Sequence, residues 1–142
     1  MARKAPGRVR ADRPRSARGE SGTNRRVVSG VSARAQREIA DFEDARWWPG
    51  AVGEAMAGWV AVAHGPRRRL REARWDGGCG EPGCCPSVNN SRDVLEQALR
   101  VLSRGAAREL RALIRPLDER FLARTHPDPH AAADEPWWRR RC

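Results

Sequence analysis

Tyrosine is absent from this 142-residue sequence, and Lys4 is its only lysine. Aromatic packing therefore falls to six tryptophans and two phenylalanines, and nearly all of the positive charge to arginine. Long apolar runs are missing too. The longest, "AMAGWVAVA" at 55–63, falls far short of the ~20 residues needed to span a bilayer. The basic start is not followed by the apolar stretch of a secretory signal. The expectation is a cytoplasmic protein with no membrane partner, whose four cysteines stay reduced. Phosphate-cradling glycine loops of the P-loop or G-x-G-x-x-G type are lacking. Three histidines and scattered serines form no triad pattern, and Glu38, Asp41 and Asp44 have no neighbouring histidine that would complete a di-metal motif. These gaps lead to the expectation of a non-enzymatic protein.

What is present is unevenly spread. Up to Arg26 there are nine basic and two acidic residues and almost no aliphatic side chains, so this stretch supplies most of the net charge of +10. It cannot bury enough apolar surface to offset the entropy of ordering it. The sequence therefore predicts a disordered basic arm over 1–30, a helical domain over 31–126, and a C-terminal tail over 127–142. Such an arm either attracts nucleic acid or another acidic surface, or is a passive extension. The arginine skew, with abundant alanine and glycine, reads as GC-rich codon usage.

Helical periodicity dominates the middle. Val31, Ala35, Ile39, Phe42 and Ala45 recur at three and four, with Arg34, Arg37, Glu38, Asp41, Glu43 and Asp44 on the other face. "WWPG" at 47–50 ends that helix. A second is predicted over 52–63, with Val52, Met56, Trp59, Val60 and Ala63 on one side, although Val60–Val62 also suits a short strand. Arg67–Trp75 reads as a short helix. After the cysteine loop, with Asn90 or Ser91 as cap, Leu95, Leu99, Leu102, Ala106, Leu110, Leu113, Leu117 and Phe121 form one stripe. Its unbroken phase favours a single helix, bent at Gly105 or Pro116, with a hairpin at Ser103–Gly105 as the alternative. The predicted fold is all-α, a small bundle of three to four helices.

Three constellations carry chemistry. The first is "CGEPGCCP" at 79–86. Cys79 and Cys84 have the spacing of a zinc-binding turn, and His126 and His130 supply a second pair in the H-x3-H range. A structural zinc on these four residues competes with two other readings: reduced thiols packed in a turn, and a redox role, for which no C-x-x-C exists. The second is the paired tryptophans. Trp137 and Trp138, in "PWWRRRC", must either dock on the domain or contact a protein partner. The third is a basic ridge. Arg100, Arg104, Arg108, Arg111 and Arg115 repeat at 4, 4, 3 and 4, roughly 150° from the leucine stripe, a pattern that can follow phosphates or an acidic partner.

Taken together, "CGEPGCCPS", "AARELRALIRPLDERFLART" and the following "PDP" resemble small Cys- and Trp-containing proteins of high-GC bacteria that have no assigned activity. That resemblance spans residues 75–129 and implies no catalytic residue. The sequence thus leads to a small cytoplasmic non-enzymatic binding or accessory protein, with a structural zinc site as one of the three readings of its cysteine loop. The alternative is a nucleic-acid-associated regulator using the basic arm and the arginine ridge.

Overall fold

The computed structural model describes residues 26–66 and 88–142, and among these residues four α-helices pack into a bundle. They are α1 (Ala33–Arg46), α2 (Ala51–His64), α3 (Val88–Val101) and α4 (Arg104–Arg124). No strand occurs among the described residues; an isolated antiparallel bridge joins Pro127 to Arg141. The expected helix over Arg67–Trp75 and the loop at 79–86 lie outside the described residues, as do residues 1–25.

Helix α1 starts at Ser32, whose hydroxyl accepts the Ala35 N–H at 3.2 Å. It buries Ala35, Ile39 and Phe42, as their spacing predicts. Glu43 departs from the pattern. Placed by periodicity on the solvent face, it is fully buried. Its carboxylate accepts the N–H groups of Gly50 at 2.7 Å and Val52 at 2.9 Å. It therefore satisfies amides at the start of α2 that have no partner inside that helix, and puts negative charge at its positive end. Gly50 makes the turn with φ of +90°, a conformation that a Cβ would strain.

Helix α2 is the centre of the core. Val52, Ala55, Trp59, Val62 and Ala63 are buried, whereas Val60, expected inside, is exposed. The end of the segment is helical, so the strand alternative at Val60–Val62 does not hold. Its most extensive contact is with α3. A side chain at Gly58 would collide with the Ser91 hydroxyl, so the glycine sets how closely these two helices approach.

The long predicted helix is two helices. Helix α3 already begins at Val88, so Asn90 and Ser91 lie inside it and do not cap it. It ends at Val101, and Ser103 opens α4 by accepting the Ala106 N–H at 3.4 Å while Glu38 accepts the Ser103 N–H at 3.1 Å. The leucine stripe crosses this break because both helices bury the same face into one core, through Leu95, Leu110, Leu117 and Phe121. Pro116 sits inside α4 on its exposed side and does not end it.

Both expected domain boundaries shift. Val28 is buried in the core, and a Cβ on Gly53 would strike the Arg26 carbonyl, so the chain packs against α2 before Gly30. At the other end the chain turns back after Thr125. Backbone bonds His126 N–H to Cys142 O (2.8 Å), Cys142 N–H to His126 O (2.9 Å) and Asp128 N–H to Arg140 O (2.9 Å) close residues 126–142 on themselves. This closure brings Trp138 into the core at 6% exposure.

Candidate functional site

Many of the arginines in the described part fall into three sets by what they do; Arg34, Arg37 and Arg46 are exposed on α1 and belong to none of them. One set closes helix ends. Arg120 Nε donates to the Ala63 carbonyl at 3.1 Å, and Arg124 donates to the carbonyls of Val62, Ala63 and Gly65, at the C-terminus of α2. Arg141 donates to the carbonyls of Leu122 (3.1 Å) and Thr125 (2.6 Å) at the end of α4. Cations belong there, because the last carbonyls of a helix are unpaired and carry partial negative charge. Acids do the reverse at the starts. Glu109 accepts the Ser32 N–H (2.6 Å) before α1, Glu43 caps α2, and Glu38 accepts at Ser103 before α4. The hydrogen bonds of Ser103, with Arg34 beside it, hold the Glu38 carboxyl below its ordinary value.

A second set is built into a buried junction. The Arg92 side chain, only 6% exposed, donates twice to the Asp118 carboxylate (Nε to Oδ1 and Nη2 to Oδ2, both 3.1 Å) and once to Glu96 (3.1 Å). Its guanidinium stacks 4.6 Å above the centroid of Trp138. Trp59 Nε1 donates to the same Asp118 at 2.9 Å, Trp138 Nε1 donates to Asp93 at 2.9 Å, and Arg139 pairs with Asp93. One cation thus meets two carboxylates and an aromatic face, the arrangement a buried charge requires.

The third set faces outward. Arg104, Arg108, Arg111 and Arg115 are all exposed on α4. Arg115 pairs loosely with Glu119 at 3.6 Å. Arg104, Arg108 and Arg111 make no ion pair among the described residues. Arg100, expected on the same ridge, belongs to α3 beyond the break at Ser103 and pairs with Glu96 at 3.1 Å. The continuous five-residue ridge is therefore corrected to four arginines on one helix.

The remaining expected residues are placed as follows. Trp138 is buried and Trp137 packs against the core, so docking on the domain is the outcome for this pair, and little of Trp138 is left to contact a partner. His126 and His130 are exposed. His126 is held through its backbone, and the His130 N–H donates to Asp128 Oδ1 at 3.0 Å. Cys79 and Cys84 lie outside the described residues. Among the described residues no group of three or more His, Cys, Asp or Glu side chains is gathered to hold a metal. An open groove of about 600 Å³ between the end of α4 and the returning segment is lined by Leu122, Trp137, Arg140 and Arg141. Arg141 is already engaged at the end of α4 there.

Sequence reasoning missed Glu43, Arg92, Asp93 and Asp118. Only Arg92 carried a signal, its i,i+4 spacing to Glu96. Asp93 and Asp118 meet partners far away in the chain, and Glu43 meets Gly50 and Val52 across the turn between two helices. No helix of the described residues is long and apolar enough to cross a membrane. No family model, curated protein or solved structure matches the chain.

Proposed function

We propose that this is a small non-enzymatic binding protein, acting in the cytoplasm, whose ligand is nucleic acid held on the outer face of α4. The reading rests on one contrast. Other arginines cap helix ends, enter the buried junction or, like Arg37 and Arg46, stand exposed and nine residues apart on α1 among Glu38, Asp41 and Asp44. Arg104, Arg108 and Arg111, by contrast, are exposed, make no ion pair among the described residues and share one face of a single helix. With Arg115 they follow one line about 16 Å long on a rigid helix. Held in register, such charges displace the counterions of a phosphate backbone. The seven net positive charges up to Arg26 add long-range attraction of the same sign.

The test is fluorescence anisotropy with labelled nucleic acid, comparing the full chain with the double variant Arg104→Glu, Arg108→Glu. Both side chains point away from the core, so the melting temperature is expected to hold. Affinity is expected to fall at least about tenfold. Unchanged affinity in a folded double variant would remove α4 from the proposal. Absence of binding by the unaltered chain at low salt would remove the proposal itself.

A further inference from the structure

The ligand form follows from what α4 does and does not display. Proteins that hold single strands combine a positive groove with aromatic side chains on which bases stack. The aromatic residues of the described structure are elsewhere. Phe42, Trp59, Phe121 and Trp138 are buried, Trp137 packs against the core, and Trp47 and Trp48 sit in the turn between α1 and α2. The outer face of α4 carries no aromatic side chain at all. It offers guanidinium groups, with the small exposed residues Gly105 and Ala112 along their flank, and the exposed Glu119 and Leu122 follow beyond Arg115.

At ~100° per residue, Arg104, Arg108, Arg111 and Arg115 fall within a sector about 60° wide. They form a straight row of fixed charges, and the low flank lets the helix lie close to its ligand. A duplex presents one phosphate charge per ~1.7 Å of axis on a stiff lattice, twice the density of either strand, and each neutralised phosphate releases more counterion than on a single strand. A rigid row without stacking groups gains most from that lattice. Resting on the nucleic-acid reading of this face, we infer that α4 binds duplex nucleic acid through its phosphates, in preference to single strands.

The experiment uses the full chain and four probes: a labelled DNA duplex of about 20 base pairs, the RNA duplex of the same sequence, either strand alone, and poly-glutamate, each titrated over a salt series. Duplex binding is expected to be at least about tenfold tighter than single-strand binding at matched salt. In the variant Arg104→Gln, Arg108→Gln, Arg111→Gln, the slope of log affinity against log salt should become shallower by about 2.7, close to 0.9 for each lost contact. Arg37→Gln with Arg46→Gln, exposed on α1, should leave the duplex preference and the slope unchanged. The two duplexes show whether the lattice read is DNA, RNA or both, and preference for either supports the inference. Single strands bound as tightly as duplexes would overturn the inference while the nucleic-acid reading stands. An unaltered slope in the folded triple variant would overturn the placement on α4. Binding to poly-glutamate in place of either nucleic acid, or to none of the probes, would overturn both.

Discussion

The two Trp–Trp dipeptides have nearly the same internal geometry, and the first ring of each packs against the core, but the second rings differ: Trp48 is exposed and Trp138 is buried. In Trp47–Trp48 the rings meet edge to face at 5.5 Å and 76°; in Trp137–Trp138 they meet at 5.7 Å and 89°. Burial is set by who else arrives. The first pair occupies a four-residue connection between α1 and α2, and its one side-chain hydrogen bond, Trp48 Nε1 to Glu54 at 3.0 Å, is local. Trp48 remains 37% exposed, and the buried Trp47 Nε1 meets no acceptor among the described residues. The second pair is met by residues distant in sequence. Asp93 accepts the Trp138 N–H, Arg92 stacks on its face, and Phe121 lies 6.2 Å from Trp137. The same two residues are thus a turn element in one place and a clasp in the other.

The largest expected effect tests that asymmetry directly. Trp138→Ala should lower unfolding free energy by about 3–5 kcal/mol, the range for emptying a buried tryptophan site. Trp48→Ala should cost about 1 kcal/mol or less, as at a partly exposed position. Equal losses in urea titrations would show that the two pairs are not different in kind.

Next comes the junction that holds the clasp. Asp118→Asn removes the charge facing the buried Arg92 and is expected to cost about 3 kcal/mol. The near-ultraviolet circular dichroism of the tryptophans should change with it, because Trp59 and Trp138 share that network. A loss below about 1 kcal/mol would mean that apolar packing alone seats the C-terminal segment.

The smallest effect concerns the orphaned indole. Trp47→Phe deletes a buried donor that has no acceptor among the described residues, so stability should change by less than about 1 kcal/mol. Trp138→Phe leaves Asp93 without its indole donor and should cost more than the same change at Trp47. The reverse order, in the same urea titrations, would contradict the hydrogen-bond account of why one pair is stable inside and the other is not.

Parts of this were legible in advance. Ile39 and Phe42, Val52 and Trp59, and Leu95, Leu110, Leu117 and Phe121 of the leucine stripe went to the core, with Leu99, Leu102 and Leu113 partly buried against it, because an amphipathic helix can bury only one face. The end of α1 was readable from Pro49 and Gly50. Periodicity failed at Glu43 because a polar residue was assumed to seek water. Here the first amides of α2 supply its hydrogen bonds instead. It failed at Ser103 because two helices that feed one core can preserve a common phase across a two-residue turn. Four of the five ridge arginines were legible as one face. The fifth was lost to that same turn.

By itself the sequence determined the helical class, the apolar stripes and the excess of arginine. Those features depend on neighbours within one or two helical turns. Only the tertiary structure decided which charges became structural and which remained available. Glu43, Glu109, Arg124 and Arg141 found unpaired backbone groups at the ends of helices, and Arg92 found Asp118 and Trp138. Arg104, Arg108 and Arg111 were turned outward. The physical reason is that a charge becomes structural only where a partner of opposite sign, or an unsatisfied helix end, is brought within hydrogen-bonding distance. Those meetings join residues far apart in the chain, and periodicity along a single helix carries no record of them.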